Sequence, residues 1–132
     1  MPDRYGIDTS ILVRLVTGDP AGEFDACVRR LSRLVEVEGA QVFASNQVIG
    51  EAYVVLQHHY GVSKPESRQA LASVLGSGLV APLNGDGVIS ALQARSGCGL
   101  LDRLIADDYA KAGAITLTLD RKMAALEGAR KL

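Results

Sequence analysis

Residues 100–120 read LLDRLIADDYAKAGAITLTLD, and this stretch decides the fold class. Its first half carries apolar residues at helical spacing, which predicts a helix over residues 100–112. Gly113 ends that helix, and residues 115–118 predict a short strand rich in β-branched and apolar residues. Asp120 comes directly after the strand. A helix that leads at once into a strand is typical of an α/β protein.

The same alternation continues toward the N-terminus. Further strands are predicted at residues 5–8, 41–44 and 79–83. Further helices are predicted at residues 10–17, 23–38, 46–60, 64–76, 86–95 and 121–126. Alternating strands and helices indicate an α/β sandwich with a mainly parallel sheet. In such sheets ligands gather outside the carboxyl ends of the strands.

Length and composition set the broad class of the protein. The chain has 132 residues, of which 48% are apolar and 22% charged, so we expect one folded domain over residues 1–132. The net charge of −1 counts against a simple nucleic-acid-binding module that works by overall charge. No apolar run approaches the roughly 18 residues of a spanning helix, and the first residues lack signal-peptide features. The expected location is therefore the cytoplasm.

Thiol and imidazole ligands are scarce. Cys27 and Cys98 form no CxxC pair, which in a cytoplasmic protein favours two reduced, structural thiols. The only histidines, His58 and His59, are adjacent and are interpreted as surface or partly packed residues. A zinc site would need more ligands of these types.

Two aspartates lie at the carboxyl ends of predicted strands. Asp8 ends the first strand in GIDTSILVRL, and Asp120 follows the strand in ITLTLD. These are the positions at which a ligand residue of an α/β site is expected. A helix follows each of them, so the alternative interpretation is that each is only a helix N-cap.

Glu51 lies inside the mostly apolar segment NQVIGEAYVVLQ. Because nearly every face of this helix is apolar, we expect most of it to be buried. An ionised carboxylate there is costly unless it is paired or binds a metal. The alternative is a narrow exposed stripe, or a pairing with a nearby arginine.

Asp102 lies beside the apolar stripe of the helix predicted at residues 100–112. Its alternative role is a favourable interaction of a first-turn carboxylate with the helix dipole. Considered as a set with Asp8, Glu51 and Asp120, it predicts a carboxylate cluster. Two carboxylates at 4 Å repel by about 4 kcal/mol at an effective dielectric near 20, so such a cluster needs a cation or raised pKa values. An all-oxygen set favours Mg²⁺ or Mn²⁺.

Taken together, these segments resemble a known family. GIDTSILVRLVTGDP at residues 6–20, a glutamate in a central helix, and residues 100–120 are similar to PIN-domain ribonucleases. Within that family the chain looks most like the VapC-type toxins of bacterial toxin–antitoxin pairs. The most specific part is the C-terminal half-motif, formed by Asp102, Ile105-Ala106, Ala112-Gly113 and Thr118-Leu119-Asp120. Asn46 and Gly50 make the start of the Glu51 helix slightly atypical, and Asp107 and Asp108 add negative charge.

The resemblance implies a fold and an activity. The implied fold is a PIN-like three-layer sandwich with a short, mainly parallel sheet of four to five strands flanked by helices. The implied activity is Mg²⁺- or Mn²⁺-dependent hydrolysis of RNA phosphodiesters, by the toxin of a pair that inhibits translation or growth. The implied partners are RNA, a small antitoxin and a second copy of the chain in a homodimer.

The same resemblance implies roles for individual residues. The implied metal ligands and catalytic acids are Asp8, Glu51, Asp102 and Asp120. Thr118, together with Thr9 or Ser10, would orient carboxylates or the attacking water. Basic residues near these positions are candidates for RNA binding, with ordinary solvated charges as the alternative: Arg14, Arg103, Arg121 and Lys122.

Two other functional classes compete with the nuclease. A non-catalytic PIN-like domain would bind RNA or protein with an incomplete or unmetallated acidic set. A receiver-like phosphoryl-transfer domain would also place carboxylates around Mg²⁺ at strand ends, but it needs a lysine on a later strand. Among the four lysines only Lys122 lies close to a predicted strand end.

Overall fold

The computed structural model describes residues 2–132. Helices and short strands alternate along the chain, as expected for an α/β protein. In order they are β1 (Arg4–Gly6), α1 (Thr9–Thr17), α2 (Ala21–Ser32), β2 (Gln41–Ala44), α3 (Asn46–His58), α4 (Lys64–Leu75), β3 (Ala81–Pro82), α5 (Gly87–Gln93), α6 (Leu100–Lys111), β4 (Thr116–Thr118), α7 (Arg121–Ala124) and β5 (Ala129–Lys131). A π-helical segment, Arg33–Val37, extends α2.

Local sequence signals account for several of these boundaries. The side chains of Ser45 and Ser63 accept hydrogen bonds from the first turns of α3 and α4, as N-caps do. Gly18 ends α1 in the left-handed conformation, with a φ of 68° that glycine adopts without a steric penalty. β5 was not among the predicted strands, because residues 129–131 are too few to show a strand pattern.

The strands form two separate parallel sheets. The first has the order β1-β2-β3, with Tyr5 opposite Val42 and Phe43 opposite Ala81. The second pairs β4 with β5, with Thr116 opposite Ala129. A mixed α/β architecture with parallel strands between helices is therefore confirmed. The expectation of a single sheet of four to five strands is corrected, since the three-stranded sheet of residues 2–132 does not continue into β4.

The burial of β4 is the reverse of what its alternating side chains suggest. Ile115, Leu117 and Leu119 alternate with threonines, which predicts that the apolar face is buried. In the structure Thr116 is buried, whereas the side chain of Leu117 is 58% exposed. Pairing with β5 satisfies the backbone hydrogen-bonding groups along one edge of β4, but it does not bury the apolar face of the strand.

The core lies between the three-stranded sheet and the helices packed around it. Its fully buried large side chains come from α1, α3, α4, α5, α6 and the segment before β3, and are Leu12, Ile49, Leu56, Leu71, Leu100, Val80 and Val88. The closest helix pairs include α1 with α3, α3 with α6 and α4 with α5. Within residues 2–132, no helix is long and apolar enough to span a membrane.

Parallel pairing brings three strand ends to one edge of the sheet. β1 leads through Asp8 into α1, β2 leads through Ser45 into α3, and β3 leads through Asn84 toward α5. Polar side chains from these connections therefore lie along a common carboxyl edge, which is the usual place for a ligand site in an α/β sheet.

Candidate functional site

Asp8 is exposed at the carboxyl end of β1 and is the N-cap of α1. Its Oδ1 accepts hydrogen bonds from the Ser10 hydroxyl at 2.6 Å and from the backbone N–H of Ile11 at 3.2 Å. These donors, the Ser10 hydroxyl above all, lower the pKa of the Asp8 carboxyl below its ordinary value. Asp8 is therefore ionised and held in a defined orientation at neutral pH. The cap interpretation is correct, and it leaves Oδ2 free of the capping bond.

Glu51 is linked to the start of α1 by Thr9. The Thr9 hydroxyl donates to Glu51 Oε2 at 2.7 Å, although the two residues are 42 positions apart in sequence. Gln47, one helical turn before Glu51, donates to the other carboxylate oxygen at 3.2 Å. Both carboxylate oxygens of Glu51 are thus oriented by neighbours. Since Thr9 directly follows Asp8, the Glu51 carboxylate lies within hydrogen-bond distance of the residue next to Asp8, at the carboxyl edge of β1.

The prediction that Glu51 lies in a buried stretch is wrong, because the structure places it on an exposed stripe of α3. The buried face of α3 is carried by other residues, among them Ile49, Ala52 and Leu56. Val54 is apolar but 38% exposed, so the apolar sequence overstates the burial of this helix. The argument for Glu51 now rests on its contact with Thr9 and not on the cost of burial.

Asp102 lies half-buried in the first turn of α6. Its neighbours Leu101 and Leu104 are the residues that face α3 and approach Gly50. Within residues 2–132, no three acidic, histidine or cysteine side chains come close enough to share a metal ion. The structure therefore does not join Asp102 to the pair formed by Asp8 and Glu51.

Asp120 is exposed at the carboxyl end of β4, in the second sheet. Its Oδ1 caps α7 by accepting from the backbone N–H of Met123 at 2.7 Å. Its own backbone N–H donates to the Thr118 hydroxyl at 3.0 Å. Thr118 thus orients the backbone of Asp120, but the described chain does not bring this second centre onto the Asp8–Glu51 pair.

The predicted basic residues differ in whether their side chains already form hydrogen bonds or ion pairs within the protein. Arg103 donates to the backbone oxygens of Ser96 at 2.6 Å and Cys98 at 3.1 Å, which ties it to the loop before α6. Arg14 forms an ion pair with Glu23 at 3.2 Å. The remaining two predicted basic residues are exposed on α7: Arg121 and Lys122.

An open groove of about 620 Å³ begins at Thr9 and Ser10, the two residues that orient the acidic pair. Thr9, Ser10 and Arg14 line one side, and His59 and Tyr60 at the end of α3 line another. His59 is a surface residue, as predicted. Its place beside the groove could not be read from the sequence, because that depends on how the end of α3 packs against α1.

A second polar group, which we call the Asn–Asp cluster, consists of Asn46, Asn84, Asp107 and Asp108. The Asn46 and Asn84 amides each donate to both aspartates at 2.8–3.0 Å. In the sequence, Asp107 and Asp108 are visible only as added negative charge. The signal for Asn84 was its place directly after a strand, but no sequence pattern connects it to α6.

The donor chemistry of the Asp8–Glu51 pair fits a hard divalent cation. Both residues supply carboxylate oxygens, the ligands that Mg²⁺ and Mn²⁺ prefer. Thr9 and Gln47 orient the Glu51 carboxylate in the way that supporting residues orient metal ligands. Two carboxylates account for only half of the predicted four-acid set. The structure thus fits the nucleus of a metal site, whereas the complete set is not assembled.

Comparison with known proteins identifies the family of the chain. The family model of the PIN domain matches residues 5–129, which is nearly the whole chain and includes Asp8, Glu51, Asp102 and Asp120. Among curated proteins, no significant match is found. PIN domains have a nuclease-type fold and are generally metal-dependent nucleases. The match, the parallel α/β fold and the acids at strand ends lead to one conclusion: this chain belongs to the PIN-domain family.

Proposed function

We propose that this protein is a metal-dependent endoribonuclease whose active site is built around Asp8 and Glu51. The observation that carries the proposal is the 2.7 Å hydrogen bond from Thr9 to Glu51, which joins the end of β1 to α3. The bond supports the proposal because it ties the Glu51 carboxylate to the residue that follows Asp8, at the edge where α/β proteins bind ligands. PIN-family membership adds the reaction class.

Three side chains of this site prepare the carboxylates for a cation. Ser10 lowers the pKa of Asp8 and so keeps it ionised. Thr9 and Gln47 hold the Glu51 carboxylate by hydrogen bonds to its two oxygens. A divalent ion bound there would lower the pKa of a coordinated water and offset charge on the phosphodiester. The protein itself supplies the orientation and the charge that select the ion.

In this proposal Asp102 and Asp120 complete the site. The free edges of β1 and β4 support it: β1 is an outer strand of the first sheet, and β4 is paired only with β5. An unpaired strand edge is a template for pairing with another strand. Addition of β4 to the edge of β1 would bring Asp120 toward Asp8 and cover the exposed Leu117.

RNA is the proposed substrate, held in the groove beside the acidic pair. Arg14 reaches the groove from α1, and its side chain is 31% exposed. Tyr60 is 44% exposed at the far side, where a base can stack on its ring. A basic group and an aromatic ring at the edge of an acidic centre suit a single-stranded polyanion.

The test is cleavage of a mixture of transfer, ribosomal and messenger RNA by the purified chain. We expect cleavage with Mg²⁺ or Mn²⁺ and none with chelator. Asp8→Asn and Glu51→Gln should each reduce the rate by at least about 100-fold, because even residues that support metal ligands contribute about 10–100-fold. Asp25→Asn and Glu36→Gln, which alter exposed acids elsewhere, should leave it unchanged.

Three results would contradict the assignment. Full activity of folded Asp8→Asn or Glu51→Gln would remove the site from these residues. RNA binding without cleavage, in any divalent metal, would favour a non-catalytic binding domain. A stable phosphoaspartate formed with a small phosphodonor would point to phosphoryl transfer instead.

Thr9 is proposed as a positioning residue for Glu51. Thr9→Val keeps the shape of the side chain but removes the donor to Glu51, so metal affinity should fall by about 10–100-fold. Thr9→Ser retains the hydroxyl and should restore most of it. Titration of Mn²⁺ into each variant measures the affinity directly, apart from catalysis. Equal affinity in Thr9→Val and the native chain would assign the threonine a structural role only.

The proposed biological role is that of a toxin held by a small antitoxin, with the toxin forming a homodimer. A groove of about 650 Å³ between α3 and α6 supports a peptide partner, since it lies beside Glu51 and exposes apolar side chains. These are Val54, Leu101 and Ile105. Co-expression with the adjacent reading frame, followed by purification and an RNase assay, tests the role. An inactive complex supports it, whereas no binding by that product contradicts it.

A further inference from the structure

Arg14 lies on the same side of α1 as Ser10, which orients Asp8. It follows Ser10 by one helical turn, and side chains at that spacing are neighbours on a helix surface. Both residues line the groove that begins at Thr9. Arg14 lies about 7.5 Å beyond Thr9 along the helix axis, given the rise of an α-helix. Neighbouring phosphates of an extended strand are spaced by a similar distance, so Arg14 is placed for the phosphate next to the one that is cleaved.

In the free protein Arg14 is paired with Glu23, which lies in the first turn of α2. The contact joins Arg14 Nη2 to Glu23 Oε2 at 3.2 Å, and across residues 2–132 no other carboxylate pairs with this arginine. A strong charge-assisted hydrogen bond is shorter, at roughly 2.7–2.9 Å. Both side chains are partly exposed, and ion pairs of this kind stabilise a fold only weakly. Glu23 can therefore be displaced by a better acceptor.

The contact with Glu23 leaves part of the guanidinium unsatisfied. Arg14 Nε is buried and has no hydrogen-bond partner within the described residues 2–132. A buried donor without an acceptor is costly. A phosphate accepts two parallel hydrogen bonds from the fork of a guanidinium, whereas the present contact uses one carboxylate oxygen. When the side chain turns from α2 into the groove, Nε and an Nη can share such a phosphate.

The charge of the groove depends on this pairing. Of the residues that the structure describes, Arg14 is the only arginine or lysine that lines the groove, and Asp19 adds a negative charge at its far end. While Glu23 neutralises Arg14, the groove attracts a polyanion weakly. Release of the guanidinium restores one positive charge beside the acidic pair.

We propose that Glu23 competes with RNA for Arg14. In the free protein Glu23 holds the guanidinium, and in the complex the phosphate beside the scissile one displaces it and takes a bidentate contact. The inference rests on the proposed ribonuclease function and identifies the residue that limits RNA affinity at that site. Glu23 thus holds the affinity below the level that Arg14 by itself would give.

The test is binding of a fluorescent single-stranded RNA whose 2′-O-methyl groups prevent cleavage, followed by anisotropy in the presence of Mg²⁺. Glu23→Gln should tighten binding about two- to fivefold, the range that a partly exposed ion pair accounts for. Asp25→Asn removes the same charge from an exposed position of α2 and should leave the affinity nearly unchanged. Equal tightening in the two variants would show an effect of overall charge alone and would overturn the proposal.

A second variant shows whether the effect passes through Arg14. Arg14→Met keeps the apolar stem and removes the charge, so it should reduce the steepness of log affinity against log salt concentration by about 0.7. That is the value of one phosphate contact on a single strand. In the Arg14→Met background, Glu23→Gln should no longer tighten binding. An unchanged salt dependence, or a tightening that persists without Arg14, would contradict the exchange.

The guanidinium itself provides a direct signal. On saturation with the oligonucleotide, the Nε–H NMR signal of Arg14 should shift more than that of Arg103, whose Nε already donates to the Cys98 carbonyl. An Arg14 signal that stays in place at saturation would contradict the proposal. Binding without any of these dependences overturns this inference and leaves the proposed nuclease standing, whereas no binding by the native chain overturns both.

Discussion

At the scale of single residues, the proposed site depends on hydroxyl groups that hold carboxylates in place. Ser10 and Thr9 each donate a short hydrogen bond to an acid, at 2.6 Å and 2.7 Å. Ionised acceptors form hydrogen bonds that are shorter and stronger than those between neutral groups. The two hydroxyls follow Asp8 directly, so one turn of chain both caps α1 and orients the acidic pair.

Ser10→Ala should raise the pKa of Asp8 toward its ordinary value near 3.8, because the serine hydroxyl is the largest cause of the lowering. The folded pKa lies below the unfolded one, so the stabilising effect of Asp8 is present at neutral pH. It is lost as the pH falls through the lowered pKa. Carboxylate NMR titration measures the change. Ser90→Ala, in an exposed helical serine, is the control, and an unchanged Asp8 pKa in Ser10→Ala would contradict the prediction.

Arg103 shows how a plausible substrate contact can serve the structure instead. Its guanidinium donates to two backbone oxygens of the loop before α6. Arg103→Ala should therefore lower the free energy of unfolding by about 1–3 kcal/mol. Arg121→Ala, at an exposed position on α7, should change it by less than about 0.5 kcal/mol. Urea denaturation measures the free energy of unfolding of both variants. Equal values would contradict a structural role for Arg103 and leave it a candidate for RNA binding.

At the scale of elements, the contact between α3 and α6 sets the floor of the groove beside Glu51. Gly50 permits this contact, because a Cβ there would lie 3.1 Å from a methyl group of Leu101 and 3.7 Å from one of Leu104. The glycine that looked atypical in the sequence thus has a packing role. Its backbone is helical, so it is needed for space and not for conformation.

Gly50→Val should destabilise the fold by about 1–3 kcal/mol through overpacking. Gly22→Val is the matched control, since a side chain at that position in α2 meets nothing within 4 Å. Both variants replace a helical glycine by valine, so the loss of stability specific to Gly50→Val reports mainly on the contact with α6. Chemical denaturation measures the free energy of unfolding of each variant. Equal values would show that the contact between α3 and α6 accommodates a larger side chain at position 50.

At the scale of the whole molecule, the division into two sheets leaves two strand edges free. Ile7 donates to Phe43 in β2, so by the alternation of a parallel strand the Gly6 amide points away from β2. On β4, the backbone N–H of Thr116 donates to the Gly128 carbonyl on the β5 side. The backbone N–H of Leu117 therefore points to the opposite edge of β4. Exposed edges of this kind are sites where further pairing can occur.

Hydrogen exchange of the metal-free chain should therefore be fast at the Gly6 and Leu117 amides and slow at Ile7 and Thr116. Exchange followed by NMR at single amides makes this comparison within one sample. Protection of Gly6 and Leu117 would contradict two separate sheets and would mean that the edges pair. Repeating the measurement with Mg²⁺ and a non-cleavable RNA tests the proposed completion of the site by Asp120, for which protection at both amides is expected.

Much of this protein is determined by its sequence alone. Helical and alternating periodicities, caps such as Ser63 and stops such as Gly18 predict the elements, because these signals act within a few residues of chain. The position of Asp8 at a strand end follows in the same way. The sequence also indicates membership of the PIN-domain family, since the most specific half-motif lies within residues 102–120.

The tertiary structure alone decided which groups meet. The exposure of Glu51, its bond with Thr9, the convergence of Asn46 with α6 and the separation of β4 from β1 depend on contacts between distant segments. Periodicity shows that a helix has an apolar face, but not which neighbour covers it. For this reason the four acids could be named from the sequence, whereas the tertiary structure alone shows that Asp8 and Asp120 follow strands of two different sheets.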